Sequence, residues 1–351
     1  MPTLQGIEFV RVKVPDVIAS RRMSGERKIR WGVLGYARIA REDVIPAIQR
    51  SSNSEFYAIA SRSREKLQEC RARFKGVGAC YTYDELLKDS NVDAVYIPLP
   101  NSMHREWTIK AAEQGKHVLC EKPMGLTAAE CREMIQACRQ NGVTLMEAFM
   151  YRYSDRTRKV LEIVRSGALG DIKFISSTFR FLLSNPASIK YQPELGGGSL
   201  YDVGCYPINF TGMILDEIAG GKPGAGAVPE SFAMEFAQSG GVDVLFSALL
   251  KYPSGLIASV NSGFNAQKRI YSEIVGDKGA LEIPDTFMGN TGPLVLTVGT
   301  ERKEIPVPES DRYQLEVEDF ADAVLQKRAP LFSLEETVRN AELMDRLQAR
   351  P

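Results

Sequence analysis

The rhythm of apolar positions along this chain changes once, near Met150. Before that point, short continuous apolar runs alternate with stretches of helical period. Ile29–Leu34 suits a buried parallel strand that ends at Gly35, and the pattern then predicts a helix over Ile39–Gln49. Further strands are predicted at Glu55–Ala60, Ala94–Pro98, Lys116–Cys120 and Thr144–Glu147, with helices over Ser63–Phe74, His104–Gln114 and Ala128–Asn141. Strand alternating with helix across short connections is the signature of a doubly wound parallel sheet. After Met150 a helix is predicted over Arg158–Ser166 and a long alternating strand over Ile172–Leu182. Strands then follow at Ser231–Phe236, Val242–Leu250, Leu256–Asn261, Ile270–Val275, Leu294–Val298 and Lys303–Val307, and strands without intervening helices argue for an antiparallel sheet. The Gly/Pro-rich stretch Gly220–Pro229 reads as a surface connection, and helices at Leu315–Gln326 and Leu334–Leu347 complete the pattern.

The fold class expected is therefore α/β. An N-terminal Rossmann domain covers 29–150, and a C-terminal α+β domain with a large open, mostly antiparallel sheet covers 151–351. Residues 1–28 read as an arm or extension. Arg21-Arg22 is not taken as an export signal, because charged residues follow where an apolar segment belongs. A chain of 351 residues is comfortable for two domains.

Composition narrows the partners. Lys plus Arg equal Asp plus Glu, 44 against 44, which gives no electrostatic case for nucleic acid or an anionic membrane. No apolar run approaches the roughly 20 residues needed to span a bilayer. Six scattered cysteines (Cys70, Cys80, Cys120, Cys131, Cys138, Cys205) without a Cys-x-x-Cys pair read as reduced thiols in a cytoplasmic protein. With His104 and His117 as the two histidines, no metal site is expected.

Four constellations carry candidate chemistry. Gly35-Tyr36-Ala37-Arg38-Ile39-Ala40 follows the first strand and opens a helix, as a pyrophosphate-binding turn requires; Ala37 stands where a second glycine is usual. At the end of the second strand, Ser61 and Arg62 replace the carboxylate that would pair a ribose 2′-hydroxyl, which favours NADP while leaving NAD possible. The other reading is a ligand-free glycine turn, with Arg62 starting a solvated helix. Glu121-Lys122-Pro123 ends a parallel strand at the edge where such sheets bind ligands, although the tripeptide also suits a surface turn. Beyond Gly196-Gly197-Gly198, Asp202 and Tyr206 stand at i and i+4 of a helix. Facing a lysine they could move a proton, and the cation would lower the phenol's pKa. Alone they read equally as a helix N-terminal acid and a packed tyrosine.

Together these segments, with Tyr96–His104 and Gly115–Pro123, resemble the glucose–fructose oxidoreductase, inositol dehydrogenase and rhizopine catabolism (Gfo/Idh/MocA) family from about Ile29 onward. The resemblance implies a nicotinamide-dependent oxidoreductase acting on a sugar or polyol. Lys122 and Tyr206 would be catalytic, with Asp202, Arg152 and Tyr191 on the substrate side and Pro98, Leu99, Asn101, His104 and Glu121 lining the cofactor. Tyrosine at 206, where many members carry histidine, looks like the branch containing aldose and dihydrodiol dehydrogenases. It implies that Tyr206, assisted by Lys122, takes the hydroxyl proton while hydride leaves for the nicotinamide. An aldose 1-dehydrogenase is the expectation. A reductase of nucleotide-linked 3-ketosugars, an enzyme with tightly held cofactor and a non-catalytic NADP(H) sensor are the alternatives. Ser154-Asp155 departs from the His-Pro that often follows Tyr151-Arg152-Tyr153. The family's sheet commonly pairs with that of a second subunit, and Val242–Leu250, apolar on both faces, fits a homodimer or homotetramer.

Overall fold

The computed structural model describes residues 27–77 and 79–349. Most of the expected N-terminal arm, and the side chain of Cys80, lie outside the described residues. Arg27, at the start of the description, forms an ion pair with Asp93.

A six-stranded parallel sheet is built from β1 (Ile29–Leu34), β2 (Ser54–Ala60), β3 (Ala79–Tyr81), β4 (Ala94–Ile97), β5 (His117–Glu121) and β6 (Leu145–Ala148), in the order β3-β2-β1-β4-β5-β6. Alternate residues feed two cores. Ala94, Tyr96 and Leu119 face one side, packed with Trp31 and Val33, while Val95, Ile97, Val118 and Cys120 face the other. Burial on both faces explains the unbroken apolar runs. Gly32 is forced by packing, since a Cβ there would stand 2.6 Å from Leu86 Cδ2. The strand order reverses between β1 and β4, and ligands bind outside the carboxyl ends of strands at such a point.

An eight-stranded sheet follows, formed by β7 (Ile172–Leu182), β8 (Ser231–Ser239), β9 (Val242–Lys251), β10 (Ile257–Gly263), β11 (Asn265–Gly276), β12 (Gly279–Pro284), β13 (Leu294–Val298) and β14 (Glu301–Ile305). Its order is β14-β13-β12-β11-β7-β10-β9-β8, and of its pairs only β7 with β10 is parallel. Helices Asp155–Arg165 and Cys205–Ile218 contribute to the core on its inner face, where Phe179 and Phe287 stack on each other and lie against the Tyr206 ring, and Phe210 meets Phe287 edge-on.

The fold class agrees with the sequence reading, and three elements escaped it. The helix Tyr83–Lys88 is announced by a capping box, with Thr82 receiving Glu85 N–H and Glu85 receiving Thr82 N–H. Strand β3 has three residues, too short for a period to show. Strand β12 alternates, but over six residues between a glycine and a proline. The two C-terminal helices return to the first sheet. Phe320, on Arg312–Gln326, packs 5.2 Å from the Trp31 ring, and Asp345, on Leu334–Gln348, accepts a hydrogen bond from Ala128 N–H.

Candidate active site

The loop after β1 turns at Gly35, whose φ of 104° belongs to glycine and whose added Cβ would meet Leu99 at 3.0 Å. Gly35 N–H donates to Ala60 O, which holds the loop against the end of β2. Arg62 lies beside the Tyr83 hydroxyl, next to the same glycine, and Ser63 caps the helix Arg64–Arg73. A side-chain-free turn, a helix beginning at Arg38 and an exposed Arg62 fit a dinucleotide phosphate chain. In this loop Tyr36 turns into the core, 4% exposed, so it would meet a cofactor through its backbone. Arg38 extends outward and pairs with Glu42.

The first helix and the helix carrying Tyr206 each contain one wide π turn, at Ala40–Val44 and Leu200–Gly204. Each lies just before a proline, Pro46 or Pro207, whose missing N–H breaks the regular ladder. Within the second turn, the Asp202 carbonyl accepts from Lys122 Nζ at 2.6 Å.

Lys122 sits at the end of β5 in a turn whose Lys122–Pro123 peptide is cis. Its ammonium lies 3.7 Å from Asp202 Oδ1 and 5.0 Å from the centroid of the Tyr206 ring. Burial alone would lower its pKa, but Asp202, Cys205, Glu121 and Glu147 outweigh that and raise it. Asp202 is subject to the same burial, which favours the neutral acid, yet Lys190 and Lys122 hold its pKa below the usual carboxylate value. Glu121 is pushed up by burial, and its Oε1 accepts from the Tyr96 hydroxyl at 2.5 Å. Behind the turn, Glu147 receives Met124 N–H at 2.8 Å and the Thr337 hydroxyl at 2.7 Å, and burial pushes its pKa up to about 7.

This geometry coincides with two sequence matches. Residues 29–149 match the GFO/IDH/MocA oxidoreductase family with its NAD-binding Rossmann fold, and residues 157–282 match the GFO/IDH/MocA C-terminal domain. The chain belongs to the Gfo/Idh/MocA oxidoreductases. Among its relatives is a D-xylose 1-dehydrogenase (NADP(+)) of Haloferax volcanii, 37% identical over 90% of this chain and 95% of that one. Another is a dTDP-3,4-didehydro-2,6-dideoxy-alpha-D-glucose 3-reductase of Streptomyces violaceoruber, 33% identical over 85% and 86% of the two chains. A 3-ketoreductase from Actinomadura kijaniata, solved with TDP-benzene and NADP, superposes with a TM-score of 0.83 at 30% identity, covering 92% of this chain and 97% of that one. That structure carries a tyrosine-to-phenylalanine substitution, and the same enzyme has been solved with one lysine changed to alanine or glutamate.

Within this Gfo/Idh/MocA site the structure brings Lys122, Asp202 and Tyr206 together; it reverses one expectation and gives three other candidates partners within the protein. First, the Tyr206 phenol is not acidified. Its pKa is pushed well above 10, by burial first and then by neighbouring Tyr313, Glu121, Cys205 and Asp202, and its hydroxyl donates to Met150 Sδ at 3.5 Å. The lysine faces the ring, not the oxygen. Second, His104 is held by backbone carbonyls on both ring nitrogens. Its ring is fully buried, with Nδ1 2.9 Å from Pro123 O and Nε2 2.9 Å from Leu99 O, so it staples the loop after β4 to the Lys122 turn. Third, Arg152 has an ion-pair partner within the protein. It pairs with fully buried Glu336 at 2.5 Å and lies over the Phe332 ring. Fourth, the Tyr191 hydroxyl is spent on Leu183 O at 2.9 Å, which leaves it bracing its own loop. Asn101 reaches across to Gly196 O at 2.9 Å and ties the loop after β4 to the glycine segment.

Sequence reading missed Lys190, which forms an ion pair with Asp202. The two residues lie in separate segments with no spacing rule between them, so nothing along the chain marks the pair. Glu147 was read only as the end of a strand.

Proposed function

We propose that this protein transfers hydride between NADP and a carbon of a sugar or polyol, with oxidation of an aldose such as D-xylose at C1 as the leading reaction. The observation that carries the reading is the convergence of the Lys122 ammonium, the Asp202 carboxylate and the Tyr206 phenol beside the end of β5. In the A. kijaniata ketoreductase the substituted lysine and tyrosine are 84 positions apart, the separation of Lys122 and Tyr206 here. The xylose dehydrogenase is NADP-linked by name, and Ser61 with Arg62 suits a 2′-phosphate.

NADP, when bound, accepts or returns the hydride at its nicotinamide ring. The chain's own residues handle the proton and the charge. In reduction the carbonyl oxygen gains negative charge, which the Lys122 ammonium stabilises. Tyr206 then gives up its O–H proton, held meanwhile by the weak sulfur acceptor of Met150. Oxidation runs the same transfer backwards, with the substrate O–H proton passing to a tyrosinate.

One observation favours a second reading. In this state Tyr206 and Lys122 are both proton donors and neither is a ready base. That arrangement suits a reductase of ketosugars, the activity named for the S. violaceoruber relative. The test is absorbance at 340 nm with NADP⁺ or NAD⁺ and a panel of aldoses, inositols and dihydrodiols. NADP⁺ reduction by xylose or glucose supports the dehydrogenase. Silence across the panel with NADPH still binding rejects it and turns attention to ketosugars.

Assembly through the second sheet belongs to the same proposal. On its outer face Leu249 and Ile257 are 53% and 40% exposed, and the register pairs Leu249 with Ser259, placing Ile257 diagonally beside it.

A further inference from the structure

Asp202 is held between two ammonium groups. Lys122 approaches Oδ1, and Lys190 pairs with Oδ2. Lys190 belongs to a strap between β7 and the glycine triplet, and several contacts fix its position. Its own carbonyl accepts from Gly198 N–H at 2.9 Å, Ser188 Oγ receives Lys190 N–H, and a Cβ on Gly197 would stand 2.6 Å from Lys190 O. The ammonium lies 5.6 Å from the Phe181 ring centroid and 5.9 Å from that of Phe264, and the side chain is still one-third exposed. The pair therefore presents a fixed donor and a fixed acceptor beside the lysine assigned to the reacting oxygen. A hydroxyl group, which donates once and accepts once, is the complement of such a pair.

We infer that Lys190 and Asp202 form a clamp for the substrate hydroxyl on the carbon next to the reacting one, which makes Lys190 a specificity-determining residue. The inference rests on the sugar reading above and extends it to a substrate class. The enzyme would take 2-hydroxylated substrates and discriminate against 2-deoxy ones. In the strap, Lys190 acts on recognition and not on the chemical step.

The test compares D-glucose with 2-deoxy-D-glucose, both with NADP⁺, in the wild-type protein and in Lys190→Met and Lys190→Arg. A charge-assisted hydrogen bond predicts that wild type prefers glucose by about 10- to 100-fold in kcat/KM. Lys190→Met should level that ratio by raising KM for glucose more than it lowers kcat, with KM for NADP⁺ unchanged, and Lys190→Arg should restore most of it. A merely structural role would weaken both sugars alike. The clamp is overturned if Lys190→Met keeps the wild-type ratio, or if both sugars lose equally together with NADPH binding. A wild-type protein silent toward glucose, 2-deoxyglucose and xylose while binding NADPH would sink the sugar reading instead, and the clamp with it.

Discussion

At the scale of single residues, the site is governed by what burial does to charge. Lys122 stays cationic only because Asp202, Cys205, Glu121 and Glu147 outweigh its desolvation, and Tyr206 stays neutral because nothing beside its oxygen offsets its own. Lys122→Met and Tyr206→Phe should each lower turnover by about 100-fold or more while leaving NADPH binding intact, as steady-state rates and fluorescence titration would show. With the phenol pushed well above 10, sugar oxidation should rise continuously from pH 6 to pH 9, and a plateau within that range would contradict the role given to Tyr206. Glu147 makes a different prediction. Its folded pKa of about 7 lies above the ordinary 4.5, so its contribution to stability is complete below about 4.5 and is lost as pH rises through about 7. Thermal unfolding of Glu147→Gln should therefore gain on wild type between pH 5 and pH 8, by on the order of 3 kcal/mol.

At the scale of elements, turns and helix starts place the groups that the residues supply. The loop after β1 can lie against the end of β2 because Gly35 adopts a positive φ and leaves room for Leu99. Lys122 donates to the Asp202 carbonyl as well as facing its carboxylate, which fixes the ammonium more tightly than the carboxylate alone would. Arg62 belongs to this scale because the end of β2 aims it. Its replacement, Arg62→Ala, should raise KM for NADP⁺ by about 10-fold or more and leave that for NAD⁺ nearly unchanged. Equal effects on the two cofactors would remove Arg62 from the 2′-phosphate. Much of this scale was legible along the chain. The glycine turn, the Glu-Lys-Pro turn and the helix carrying Tyr206 were each visible from residue types. The π turns were not, because proline signals a broken helix without saying which turn widens.

At the scale of the molecule, the N-terminal and C-terminal parts of the chain are joined by contacts between segments remote in sequence. Asn101 meets Gly196, Glu147 meets Thr337 and Trp31 meets Phe320. The outer face of the second sheet presents Leu249 and Ile257. If that face pairs two copies, Leu249→Glu should convert the assembly to a monomer in sedimentation velocity without changing the circular dichroism spectrum. A wild-type monomer would end that part of the proposal.

The sequence by itself determined the fold class, the order of most elements and the glycine turn after β1, because apolar period and glycine placement are local properties of a chain; Lys122, Asp202 and Tyr206 stood out as candidates through the family resemblance. Only the tertiary structure decided that the Tyr206 phenol is pushed above its usual pKa, that His104 and Arg152 are taken up by contacts within the protein, and that Lys190 pairs with Asp202. Those outcomes depend on burial and on partners drawn from distant segments, and no pattern along the chain records which charges will meet once water has been excluded.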